Sequence, residues 1–251
     1  MLGDSVLPRL ARLSGIKQPM PLGDLAVDLL LELQRSLAIL GYPVRGVDGK
    51  LGNRTRNAWS EFKARHFPGN PDLVGPESVA KLQADVATLP SMKNPAQGDR
   101  AATIAAIRAE CQAQGLGLPT QVAYVLATTQ WETARTFQPV RETFWKDEAW
   151  RKANLAYYPY YGRGFVQLTW DTNYRIYGEM TGLDLLAKPD LAMAFDVALF
   201  VLVHGFKTGA FTGRKLTDFI NDQKADLLEA RRCINGMDKA LEISQLAKSF
   251  L

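Results

Sequence analysis

The chain has 251 residues, of which 47% are hydrophobic and 22% charged, an ordinary globular composition that excludes disordered, collagen-like and fibrous classes. At this length two domains are expected, because a stretch of about 150 residues buries a sizeable core of its own. The formal charge is +4, and residues 1–98, with 12 basic and 9 acidic side chains, carry +3 of it; that surplus suits an anionic polymer without selecting one.

Cys111 and Cys233 are the only cysteines. Two thiols so far apart make no disulfide framework, and His66 and His204 add no close ligand spacing, so neither a metal nor a cofactor is expected. Met1 to Met20 contains no apolar run of signal-peptide length, and the most apolar run, Val197 to Val203, is far too short to span a bilayer. The expectation is a chain with no stable membrane insertion and no general secretory signal.

Leu25, Leu29, Leu33, Leu37 and Leu40 recur at helical spacing, with Asp24 placed to open the helix and Gly41 to end it. Pro43, Gly46, Gly49 and Gly52 then mark turns before a second helix, opening at Asn53 or Thr55, runs to about Arg65 and buries Trp59 and Phe62. A third helix is expected from Pro76 to about Ala87. These three helices form a small bundle over 22–88, preceded by an extension, 1–21, and followed by a linker, 89–98, with two prolines and few apolar anchors.

Residues 99–251 read as the second domain, mainly helical with a small β element. Helices are expected over Arg100–Gln114, Pro119–Thr133, Asp190–Phe206 and Ala225–Ile234. Val140, Glu142 and Phe144 alternate with Arg141, Thr143 and Trp145, a strand pattern. Pro139 stops Glu132 and Glu142 from riding one helix, so the chain is free to turn back and set one glutamate across a groove from the other.

Breaking a glycosidic bond needs one protonated carboxyl for the leaving oxygen and one ionised carboxylate to act on water or carbon. Glu132, following the apolar Val122, Val125 and Leu126 and beside Trp131, is expected to be the more desolvated, and Glu142, flanked by Arg141 and Thr143, the one that stays ionised. Downstream, Tyr157 to Tyr174 strings together aromatic and amide side chains of the kind that stack on sugar rings and bond their hydroxyls.

Two resemblances follow from these motifs. Leu33-Gln34, Leu40-Gly41-Tyr42, Asp48-Gly49, Gly52 and Thr55, over roughly residues 22–88, resemble the peptidoglycan-binding domain found on many wall hydrolases. Asp48, Gly49, Gly52 and Thr55 are turn and cap chemistry, whereas Tyr42, Arg45 and Arg54, with Asp48, are the candidates for contact with stem peptide or sugar. The two arginines read equally well as a solvated surface.

In the second half Glu-Thr-Ala at 132–134, Arg141-Glu142, the string Tyr160-Tyr161-Gly162-Arg163-Gly164 leading to Gln167-Leu-Thr169-Trp170 and Asn173-Tyr174, and Arg231-Arg232 with Ile234-Asn235-Gly236 resemble the family 19 glycoside hydrolases. That family includes plant chitinases, and the similarity is closer to its phage endolysins. The resemblance implies a lysozyme-like, α-rich domain with Glu132 as general acid, Glu142 as general base and Thr169 holding the attacking water. It further implies that Gln167 and Asn173 contact sugar, that Tyr161 and Trp170 shape the cleft, and that Arg232 and Asn235 lie on its far side. Arg163 reads equally as a ligand contact or a structural ion pair, and Trp170 and Tyr174, at helical spacing, as packing.

Family members invert the anomeric carbon, a geometry in which the carboxyls stand about 6.5–9.5 Å apart. The short interval between the glutamates, and Met237 where chitinases have a second glycine, favour a shorter cleft and a wall substrate. The expected protein is a monomeric muramidase endolysin acting on peptidoglycan, not nucleic acid. It is held in the host cytoplasm until a holin admits it to the wall. A chitinase, a lytic transglycosylase and a non-catalytic wall-binding protein are the alternatives.

Overall fold

The computed structural model describes residues 12–44, 46–88 and 99–251, so the linker, Arg45 and the first half of the extension lie outside the described residues. The fold is mainly helical. It divides into two compact units, one of residues 1–89 with Ile176–Leu183, the other of residues 90–175 with 184–251.

The first unit is built on α1 (Val27–Ile39), α2 (Asn53–His66) and α3 (Pro76–Ala87). Leu30, Leu33 and Leu37 of α1 meet Trp59 and Phe62 of α2 and Val79 and Leu82 of α3 in one apolar cluster. The first helix starts later than its leucine pattern suggests. Asp24 closes a short 3₁₀ turn at Leu22–Asp24, and the helix is entered from Ala26 in extended conformation.

Part of the expected extension belongs to this unit. Leu13 and Ile16 enter the same core, and β1 (Met20–Pro21) pairs antiparallel with β2 (Leu73–Val74). Two apolar residues in a short 3₁₀ turn and a two-residue strand give no period long enough to read.

The Asp48-Gly49 turn hangs on a single buried amide. Gln34, 1% exposed, donates from Nε2 to Asp48 Oδ1, the Lys50 carbonyl and Thr55 Oγ1, while its Oε1 accepts from the Asp48 and Gly49 amides at 3.0 and 2.8 Å. Gly49 is required twice over: its φ is +69°, and a Cβ there would come within 2.8 Å of Val27 Cγ1. Four signature positions are thereby tied into one network.

In the second unit α4 (Arg100–Ala113) and α5 (Pro119–Glu132) precede β3 (Val140–Arg141), α6 (Glu148–Asn154) and β4 (Arg163–Gly164). Then come α7 (Asp171–Thr181), of which only the residues up to Arg175 belong to this unit, α8 (Phe195–Thr208), a hairpin of β5 (Ile220–Asn221) and β6 (Lys224–Ala225), and α9 (Ala240–Lys248). α5 is the central element, buried continuously from Gln121 to Thr129 and packed along α9 and α4, while α8 packs on α4 and also touches α5. Pro119 opens α5 at its first position, where its missing N–H costs nothing.

Two expected helices are corrected. The stretch 190–206 is a 3₁₀ turn, Pro189–Met193, then α8, with Ala194 extended between them. The stretch 225–234 is not an α-helix at all: Lys224–Ala225 is a strand and Glu229–Cys233 a 3₁₀ turn. Cys111 and Cys233 are both fully buried free thiols, and desolvation pushes both up, Cys233 to about 12.

Candidate active site

Glu132 is the last residue of α5, and the chain leaves it through a tight, strained connection. Ala134, Arg135 and Phe137 all have positive φ. What holds them is local: Arg135 N donates to the Gln130 carbonyl at 2.7 Å, Thr133 Oγ1 accepts from Phe137 N at 3.1 Å, and the Phe137 ring is fully buried. Thr143, Gln167 and Trp170 are also in this region, so six of the seven non-glycine positive-φ residues among those described lie between Glu132 and Trp170. Such strain gathers where surrounding structure fixes side chains for a task.

The Glu132 carboxylate is fixed by Arg231, whose Nη1 donates to Oε1 at 2.8 Å. This guanidinium side chain is 4% exposed and anchors its Nε on the Asp238 carbonyl, so a rigid cation sits against one oxygen of Glu132.

Glu142 follows β3 directly and continues its ladder, its N–H donating to the Gly162 carbonyl at 2.7 Å. Both carboxylate oxygens are engaged. Oε1 accepts from the Tyr157 hydroxyl at 2.6 Å and Oε2 from the Gly162 amide at 2.9 Å. Burial and the neighbouring Glu142 push the Tyr157 hydroxyl up to about 12, so it remains a donor at ordinary pH. Glu142 thus has two neutral donors, and Glu132 a buried cation.

Gly162-Arg163-Gly164 is shaped by these contacts. A Cβ on Gly162 would meet Gln167 Oε1 at 2.5 Å, and Gly164 has φ +89° as β4 pairs with β3. Gln167 donates to the Val140 carbonyl, and Thr169 Oγ1 donates to the Gln167 carbonyl at 2.8 Å, leaving the hydroxyl's lone pairs free to accept. Asn173 Nδ2 donates to the Thr169 carbonyl at 2.8 Å. Trp170, 54% exposed, lies 4.9 Å from the Tyr157 ring, an open aromatic face beside Glu142.

Other residues named from sequence sit elsewhere. Tyr161 is fully buried, donates to Glu148 Oε2 and is covered by the Arg163 guanidinium at 3.7 Å, so it supports the hairpin from inside and presents no surface to a cleft. Arg163, 3% exposed, spends its donors on Asp190, the Pro159 and Tyr161 carbonyls and Tyr174 Oη; of its two readings the ion pair is what the structure holds. Arg232 points outward to Glu229, and Asn235 is exposed with its backbone N–H on the Arg231 carbonyl.

Arg231 is the residue sequence reasoning passed over. The small apolar Ala230 and Cys233, buried with it in the Glu229–Cys233 turn, are the signal that distinguishes it from the exposed Arg232.

In the first unit Tyr42 is half-buried, edge-on to Phe62 with Arg65 over its ring, and burial raises its hydroxyl above the ordinary value. The Lys50 amide and the Gln34 side chain hold the Asp48 carboxyl below the usual range, which commits that group to the turn. Arg54 is exposed on α2, and Arg45 lies outside the described residues. Among the described residues no group of three His, Cys, Asp or Glu is placed to hold a metal ion, and no helix is long and apolar enough to cross a membrane.

The two glutamates are thus held differently, Glu132 by a buried guanidinium and Glu142 by a phenol and a backbone amide. Residues 120–209, which span both glutamates and the Gly-Arg-Gly hairpin, match the family described as chitinase class I. Chitinase 11 and chitinase 8 of Oryza sativa subsp. japonica are each 50% identical over 42 residues, 17% of this chain and 16% of theirs. The chain thus spans about a sixth of the curated relatives it matches. The crystal structure of chitinase C from Streptomyces griseus HUT6037 is similar at 22% identity and a TM-score of 0.35, over 52% of this chain and 60% of that one.

Proposed function

We propose that this protein is an endolysin-type muramidase that hydrolyses the β-1,4 bond between N-acetylmuramic acid and N-acetylglucosamine in peptidoglycan, by inversion. The observation that carries the reading is the unlike fixing of the two glutamates. Glu132, with one oxygen held by Arg231, protonates the leaving oxygen through the other. Glu142, held in place by Tyr157 and the Gly162 amide, takes a proton from water, and Thr169 Oγ1 accepts that water's second hydrogen. Trp170 offers its ring to a sugar face.

Support for a wall substrate comes from the first unit, whose loop network is built from the residues that resemble a peptidoglycan-binding module. Tethering such a module to the enzyme raises the local concentration of insoluble polymer. In this reading Tyr42, Arg45 and Arg54 are the contacts to wall, the enzyme is a monomer of phage origin, and it waits in the host cytoplasm for a holin. A chitinase is the second reading, favoured by the chitinase class I match and the two rice chitinases.

Reducing-end and mass analysis of purified sacculi, run beside chitin oligomers, separates the possibilities. New muramic acid reducing ends from sacculi are expected. Anhydro-sugar ends would replace hydrolysis with transglycosylation, and release from chitin with intact sacculi would establish the chitinase.

A further inference from the structure

Behind the β3–β4 hairpin lies a hollow of about 980 Å³ whose walls include neither Glu132 nor Glu142. Strand alternation explains the separation. Arg141 and Arg163 are cross-strand partners and share one face, where both reach Asp190, whereas Glu142, one residue on, offers its carboxylate to Tyr157 and the Gly162 amide.

The charge of this hollow is one-sided. Arg141, Lys146, Arg151, Arg163 and Lys188 line it against only two carboxylates, Glu148 and Asp190. Those two are already used: Asp190 pairs with both Arg141 and Arg163, and Glu148 with Arg151. Lys146 and Lys188 are exposed and have no carboxylate partner among the described residues; the Lys146 ammonium rests 5.5 Å from the Trp150 ring centre. The rim also carries Phe144, 52% exposed. Unpaired cations beside an exposed ring, over a floor of fixed arginines, suit a short, carboxylate-rich chain with apolar side groups.

We infer that this hollow binds the acidic peptide stem of the wall polymer, an inference that rests on the muramidase reading. The reach is adequate. A five-residue stem extends up to about 17 Å, several times the spacing of about 4.7–4.9 Å between neighbouring strands that it must pass. The outer edge of β4 is closed where Arg163 pairs with Leu168, so the β3 edge is the side on which a stem would pass from a sugar at Glu142 to the opposite face. Chitin has no stem and no carboxylate, so the hollow selects substrate without touching the bond that breaks.

The test is calorimetric titration of the full chain with N-acetylated stem tetrapeptide, its carboxylates free or amidated, repeated with the K146E/K188E double variant. The free-acid peptide is expected to bind, to weaken with added salt, and to lose at least tenfold in affinity on charge reversal or amidation. The double variant should also lose sacculus hydrolysis while keeping that of glycan strands stripped of peptide. Absence of binding, indifference to charge reversal, or tighter binding of a polyglycerol phosphate chain would each overturn the inference. The titration reads the hollow without bond cleavage, so failure of the muramidase reading, seen as sacculi left intact by the wild type, is recorded separately.

Discussion

Two hydrogen-bond hubs organise this chain, and they differ in what they leave over. In the first unit Gln34 sits at the centre of the Asp48-Gly49 turn, and both of its polar atoms are spent on backbone and side chains of that turn. In the second unit Glu142 sits at the end of a similarly short ribbon, but its hub is a half-buried carboxylate beside an exposed indole. A neutral amide sealed in a turn can only build; a carboxylate held by two donors retains a lone pair that chemistry can use. Motif residues at the two places therefore mean different things. One set closes on itself, and the other leaves an acceptor open.

The sharpest way to break this comparison is Glu132→Gln. It keeps the shape but removes the acid and the charge opposite the buried Arg231, so turnover on sacculi should fall by about 10³-fold, within the range for a lost general acid, with the fold retained and thermal unfolding lowered by the unpaired guanidinium. Appreciable lysis by that variant would remove Glu132 from the proposed chemistry.

Gln34→Ala is expected to act in the opposite sense. It strands the Asp48 and Gly49 amides and should cost about 3 kcal/mol, read by chemical denaturation, while hydrolysis of short soluble muropeptides is unchanged below the new transition. Loss of catalysis in proportion to Gln34 would show that this hub serves the site.

Asp190→Asn tests the floor of the hairpin. Arg163 is 3% exposed and would lose its anion, but Asp190 is 64% exposed, so solvent screening limits the expected loss to about 2 kcal/mol. Burial pushes the Asp190 carboxyl up, but Arg141 and Arg163 outweigh it and hold it below the ordinary aspartate value. Its folded-state value being depressed, its contribution is fully present above about pH 4 and is lost as pH falls through the lower folded value. Acid titration of the variant should lack that component; identical acid profiles would refute the coupling.

The smallest effect is expected for Tyr157→Phe, which removes one of two donors to Glu142 and should lower kcat about tenfold, near 1.4 kcal/mol, with KM little changed. A change in KM alone would make Tyr157 a sugar contact instead of a positioning residue.

Sequence reading saw long, periodic or capped elements well. The leucines of α1 and the Pro76 and Pro119 starts all announce themselves. It failed where structure is set by few residues acting over distance. Leu13 and Ile16 join a core whose other members lie far along the chain, and the two-residue strands have no period to detect. At the site, the glutamates and the Gly-Arg-Gly string were legible, but the inward arginine was not. Arg231 and Arg232 are equivalent until a 3₁₀ turn buries one and exposes the other. Tyr161 misled for a related reason: an aromatic in a sugar-rich motif is also the natural platform for a guanidinium, and here Arg163 claims it.

The two sealed thiols have a practical use. Cys111 and Cys233 both belong to the second unit, both have zero exposure, and burial disfavours the reactive thiolate in each. An alkylating reagent therefore gains access only when that half of the molecule opens, so the rate of labelling clocks its breathing motions with no engineered probe.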